Sequence, residues 1–195
     1  MRRVIISNLL AIFSVFPLFG RETPNPVYTP KIFFDTVQSV KSIKRYDNQT
    51  AAFLQRLSSS LREKLLQFFT SQGIYLYLKD GLGSDYTLFY TFPRTYIKAI
   101  SLKEETDNGF KYSFGYKISI DLALYIFKTS SNPQLVCYKV FSFNRYYPPS
   151  SQYLPLYTSL ADSVAETFYL QMEPFLKDFL KREKQKLEYY RNLGK

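Results

Sequence analysis

A chain of 195 residues with 26 Lys and Arg against 16 Asp and Glu has the size of one domain and a formal charge of +10, a balance that favours anionic partners. Histidine is absent, which removes the usual general base, the commonest metal ligand and every nucleophile pair that relies on an imidazole. The single cysteine, Cys137, excludes an internal disulfide, so packing among 18 Tyr and 18 Phe residues has to stabilise the fold.

The first twenty residues, MRRVIISNLLAIFSVFPLFG, have the form of an export signal: Arg2 and Arg3 precede an apolar core from Val4 to Phe16, followed by helix-breaking Pro17 and small Gly20. The core is shorter than the roughly 20 apolar residues of a membrane span, and Ser7 and Asn8 interrupt it. Cleavage between Gly20 and Arg21, rather than retention as an anchor, leaves 24 basic residues against 16 acidic ones, a charge of +8. An exported protein rarely meets nucleic acid, so lipid and envelope partners gain ground. Residues 21–30, RETPNPVYTP, hold three prolines and read as an extended tether. The sequence thus divides into a signal peptide at 1–20, the tether at 21–30 and a single α+β domain at 31–195.

Lys31 to Val40 contains Ile32, Phe33, Phe34, Val37 and Val40, and is read as a lead strand. Leu54, Leu57, Leu61, Leu65 and Phe68 then recur at steps of three and four, with Phe53 and Phe69 widening the stripe, which predicts a helix over 50–72. Asn48 or Thr50 can cap its first turn, and Gly73 stands where a left-handed residue would stop it. Ile74 to Leu78 reads as a short strand, and DGLGSD at 80–85 as a turn.

Long strands follow: YTLFYTF, then TYIKAISL after Pro93, which should mark an edge or a bulge. The DNG at 107–109 is a hairpin turn. From Tyr112 to Leu124 large apolar side chains occupy every second position with polar ones between, so one face is buried and the other wet. SSNP at 130–133 turns the chain into QLVCYKVFSF, antiparallel to its predecessor. Residues 146–157, YYPPSSQYLPLY, fit neither period. A closing helix from about Ser159 to 173 carries Leu160, Val164, Phe168 and Met172, Pro174 should kink or restart it, and the basic tail from Lys177 reads as a solvated helix.

Reactive candidates are few. Cys137 sits in a strand with no histidine to activate it and reads as a small core residue. GLGS at 81–84 has the spacing of neither phosphate-binding fingerprint. Glu104, Glu105, Asp107 and Asp121 show no spacing that separates an acid–base pair from surface charge. The tail KREKQKLEYYRN mixes aromatics with positive charge, as do lipid- and nucleic-acid-binding helices, but basic residues also gather at helix C-termini because of the dipole. No catalytic, cofactor or metal residue is assigned. The residues assigned to ligand binding are Arg94, Lys98, Lys103, Lys111 and Lys117, which offer charge for phosphates beside strand aromatics that could line a groove for acyl chains. The predicted architecture is an α+β two-layer sandwich, a mostly antiparallel sheet with two main helices packed on one face.

The helix TAAFLQRLSSSLREKLLQFF, a following strand, SDYTLFY opening the long strands, and the late SLADSVAETFYLQM resemble the LptE family, which helps assemble lipopolysaccharide in the outer membrane. Leu18-Phe19-Gly20 is similar to the start of a lipobox, but Arg21 stands where the lipidated cysteine would be. The resemblance implies a non-enzymatic protein on the periplasmic side of the outer membrane, partnered with a β-barrel of the LptD kind and with lipopolysaccharide or another anionic lipid, and not with nucleic acid. The alternative is a protein–protein interaction module of another envelope machine, in cell-wall regulation, secretion or pilus assembly.

Overall fold

The computed structural model describes residues 29–78, 83–150 and 158–193; residues 1–28, read above as an export signal and most of a tether, lie outside them. Its elements are β1 (Ile32–Phe34), α1 (Thr36–Lys41), a short 3₁₀ turn (Ile43–Arg45), α2 (Asn48–Ser71), β2 (Leu76–Tyr77), β3 (Tyr86–Thr106), β4 (Gly109–Lys128), β5 (Gln134–Ser150) and α3 (Thr158–Leu193). The five strands form one sheet in the order β2-β1-β3-β4-β5, with β3, β4 and β5 antiparallel and β1 parallel to both its neighbours. The α+β class, the mostly antiparallel sheet and the two main helices are as read from the sequence.

The lead strand is shorter than the sequence suggested. Asp35 ends it by accepting a hydrogen bond from Gln38 N at 3.0 Å, which caps α1, so Val37 lies on an exposed helix surface and not in a strand. The start of α2 is likewise capped one residue early: Asp47 accepts from both Gln49 N and Thr50 N, and these bonds, Thr50 first, hold its carboxyl below the usual range. At the other end Gly73, at φ 70°, makes the left-handed turn. The segment after it pairs only through Leu76 and Tyr77.

Helix α2 buries Phe53, Leu54, Leu57, Leu61, Leu65, Phe68 and Phe69, and α3 buries Val164, Phe168, Met172, Leu176, Phe179 and Leu180 beside them. Arg56 grips Asp162 with two hydrogen bonds of 3.0 and 2.8 Å, Lys64 pairs with Glu166, and Gln72 shares a cleft with Lys177. These pairings rise together along both helices, so α2 and α3 run in the same direction. Both cover the sheet face formed by Leu88, Tyr90, Phe92, Ile118, Ile120, Leu122, Leu124 and Ile126, all fully buried. Burial of each such side chain contributes about 1.5–3 kcal/mol.

Two further readings are corrected. The strand β5 runs on through Tyr146 to Ser150, so the first part of the irregular segment is sheet; 151–157 lies outside the described residues. The closing helix is a single element of 36 residues with Pro174 inside it, and its tail is only partly solvated. Phe179 and Leu180 are buried, and Glu183 is buried against Tyr86, whose hydroxyl donates to it, and Lys186, which pairs with it at 2.8 Å. Burial raises the Glu183 carboxyl, but the bonds from Lys186 and Tyr86 outweigh it and leave it below its ordinary value.

Candidate functional site

Strands β3 and β4 pair over nineteen positions, from Tyr86↔Lys128 to Thr106↔Gly109. The helices cover only the first half of this ribbon. Between Thr91 and Arg94 the register shifts by one residue at Pro93, the bulge anticipated from the sequence. Tyr46 donates its hydroxyl to the Phe92 carbonyl at 2.7 Å and so satisfies the acceptor that the bulge frees from the ladder. The helix layer still buries Ile118 and Ile120 past the bulge; beyond the Lys98–Lys117 row the strands project as a hairpin, flanked by β5 only as far as Phe114 and closed at Gly109, whose φ of 117° makes the turn.

Because directly paired residues share a face, the register past the bulge decides which charges meet. Arg94, Tyr96 and Lys98 face the helix-free side, and opposite them stand Asp121, Ser119 and Lys117, then Ser142, Asn144 and Tyr146 of β5. Arg94 Nε makes an ion pair of 2.8 Å with Asp121, which also accepts from Ser142 Oγ at 2.7 Å. Lys98 and Lys117 are directly opposite each other, both exposed. Neither makes an ion pair among the described residues, and like charges in this position repel. Exposed Tyr96 and Tyr146 flank them.

The structure therefore brings Lys98 and Lys117 together, with Arg94 two rows nearer the base and paired with Asp121. It does not bring the other two. Lys111 lies on the same face opposite Glu104, six residues from the Lys98 row and so about 20 Å along the ribbon. Lys103 lies on the reverse face with its ammonium 3.5 Å from the Phe110 ring centroid.

Sequence reasoning read the strand aromatics collectively as a groove lining and did not say which of them share the helix-free face. Nearer the base, Phe89 stacks on Tyr125 at 4.9 Å and on Phe127 at 5.8 Å, and Tyr125 meets exposed Tyr138 at 5.0 Å. The signal was available as the odd-numbered aromatics of β3 and β4, which alternate with the core residues. One sheet face thus carries an aromatic patch at its base and a cationic pair with two tyrosines on the hairpin.

The remaining candidates, and the acidic Asp85 that precedes β3, have structural places. Asp85 accepts from Lys31 N and donates its own N–H to Lys31 O, both at 2.8 Å, joining β1 to the start of β3. Cys137 is buried, with Arg182 donating toward its sulfur at 3.6 Å. Glu104, Glu105 and Asp107 are exposed at the hairpin end. Among the described residues no three His, Cys, Asp or Glu side chains gather as a metal site would require, and no helix is long and apolar enough to cross a membrane.

No protein-family model matches the sequence, and no curated protein is similar to it at a significant level. Among solved structures, the chain is similar to a Xanthomonas campestris protein of the DUF330 family, with 15% identity over 84% of this chain and 94% of the other and a TM-score of 0.47. A Helicobacter pylori homologue of neuraminyllactose-binding hemagglutinin shares 13% identity over 90% and 96% of the two chains, with a TM-score of 0.48. The PelC dodecamer of Paraburkholderia phytofirmans gives 12% over 72% and 85%, with a TM-score of 0.33.

Proposed function

We propose that the protein is a non-enzymatic component of the bacterial envelope that assists lipopolysaccharide transport or assembly at the outer membrane, exported by its N-terminal signal and partnered with a β-barrel of the LptD kind. The observation that carries this reading is the Lys98–Lys117 pair. Two exposed ammonium groups are held directly opposite each other at the root of the projecting hairpin, flanked by Tyr96 and Tyr146. Such a pair weakens the hairpin in isolation and is relieved by a phosphate or other dianion lying between the two charges. Tyrosines beside it suit a lipid interface, where one end of the ring is apolar and the other wet. The aromatic patch at Phe89, Tyr125 and Tyr138 continues the same face toward the base and offers apolar surface for acyl chains.

The test is binding of the mature protein to lipopolysaccharide and to anionic vesicles at two salt concentrations, with Lys98→Glu and Lys117→Glu. The expected result is salt-sensitive binding that both reversals weaken. Binding unchanged by both variants, or the same for zwitterionic vesicles, rejects the lipid role.

A second reading, a protein–protein interaction module of another envelope machine, is favoured by one feature. The edge strand β5 is 17 residues long, and such an edge is a template for a partner strand. Affinity purification from detergent-solubilised envelopes separates the two: a co-purifying barrel supports the first, a soluble periplasmic partner the second.

A further inference from the structure

On the other side of the sheet a cleft of about 250 Å³ opens between α1 and α2. One wall is the α2 stripe Gln55, Ser58, Ser59 and Arg62, which the three- and four-residue spacing places in a row. The floor is Phe34 and Ile43, each 1% exposed, with the Tyr90 ring beside them. Ser58 is occupied: its Oγ is 2.7 Å from the Tyr90 hydroxyl, which also donates to the Ser58 carbonyl. Burial pushes the Tyr90 phenol above its ordinary range, against smaller opposing effects of Ser58 and Arg62, so it remains a neutral hydroxyl.

Arg62 differs from every other residue around the cleft. It is the one charged side chain in the lining, its Nε is buried with no hydrogen-bond partner, and it makes no ion pair among the described residues. A partly buried guanidinium without an anion is unfavourable, and its planar fork matches a carboxylate or a phosphate. The hydroxyls of Thr36 and Ser59 at the rim have no hydrogen-bond partner among the described residues and are free to donate. Val40, partly exposed at the mouth, extends the apolar floor outward. The volume is below the roughly 300–1,000 Å³ that takes a drug-sized ligand, which suits a head group with a short chain.

We propose that this cleft binds a small amphiphile whose carboxylate or phosphate pairs with Arg62 and whose short apolar part lies against Phe34, Val40 and Ile43. The site is separate from the hairpin, and its ligand does not depend on the lipopolysaccharide reading.

The experiment is calorimetric titration of the mature protein with octanoate, octyl phosphate, octanol and inorganic phosphate, each below its micelle-forming concentration. One of the two amphiphilic anions is expected to bind saturably and about tenfold or more tighter than either octanol or inorganic phosphate. The better of the two identifies the head group. Arg62→Gln is expected to weaken that binding about tenfold or more, Ser59→Leu to block the mouth from an exposed position that leaves the fold intact, and Lys98→Glu with Lys117→Glu to leave it unchanged. Absence of binding by both anions, octanol or inorganic phosphate binding as tightly, or full affinity in both Arg62→Gln and Ser59→Leu overturns the proposal.

Discussion

From Tyr86 to Phe92 the strand β3 alternates buried and half-buried side chains between the helix layer and the aromatic patch, whereas from Lys98 to Thr106 the same strand exposes all but one residue. Backbone pairing with β4 is continuous through both regions. The base is supported by a second layer, and the hairpin only by its ladder, with β5 beside it no further than Phe114, and a two-stranded ribbon is marginal in water. Sequence that costs little stability is therefore concentrated at the hairpin, and it is there that exposed Tyr96, Leu102, Phe110 and Tyr112 stand. Scattered exposed apolar residues are ordinary, and these four are divided between the two faces of the ribbon, Tyr96 and Leu102 beside Lys98 and Lys117, Phe110 and Tyr112 beside Lys103.

The largest contrast should come from aromatic truncation. Phe168, fully buried and 6.2 Å from Phe143, should cost about 3–5 kcal/mol as Phe168→Ala in denaturant unfolding. Phe110→Ala at the hairpin should change stability by about 0.5 kcal/mol or less. Comparable losses at the two sites would mean that the hairpin is packed against something and break the distinction.

The junction between the regions gives the next effect. At Gly115 an added Cβ would lie 2.5 Å from the Tyr147 carbonyl oxygen and 2.7 Å from Pro149 N, where β5 bulges against β4. Both are backbone atoms, so Gly115→Ala must displace β5 and should cost about 1–3 kcal/mol. Hydrogen exchange should show the loss confined to the pairing of Tyr116 with Tyr147 and beyond, with the base protected.

Charge buried at the base behaves differently from charge on the hairpin. Glu183 has its carboxyl held below the ordinary value of 4.5 in the folded state, so its contribution is complete above that value and is lost as pH falls through the folded one. Wild-type stability should therefore decline on the acid side, and Glu183→Gln should be less stable at neutral pH and show a shallower acid decline. Thermal unfolding across that range checks both signs.

How much of this was legible in the sequence differs between the same two regions. The α2 stripe was readable because Leu54 to Phe68 repeats at helical spacing for four turns, and the Pro93 bulge because proline cannot donate to a central ladder. The short β1 was not, because Asp35 as a cap overrode the apolar run through Val37 and Val40. Pro148 and Pro149 obscured the end of β5, yet an edge strand tolerates prolines whose missing N–H would have faced solvent. The alternation at Tyr112 looked like that at Leu122, but no layer lies over it, and periodicity does not report whether a partner covers a face. The basic residues of the site could be named individually. Their grouping depends on register, which the bulge shifts, so the meeting of Lys98 with Lys117 and the separation of Lys103 required the structure.

The smallest stability effect is also the one that separates folding from function most directly. The two opposed lysines repel, so Lys98→Thr, which keeps β propensity and removes one charge, should leave the hairpin unchanged or more stable by about 0.2–1 kcal/mol. The gain should shrink as salt rises, because the repulsion between exposed charges is screened over about 10 Å at 0.1 M. In the same variant, lipopolysaccharide binding should weaken. A stabilised protein that binds less well would show that the pair is retained for an anion despite its cost to the fold. A destabilised one would mean that Lys98 contributes packing through its aliphatic stem, and the charge argument for the hairpin would lose its basis.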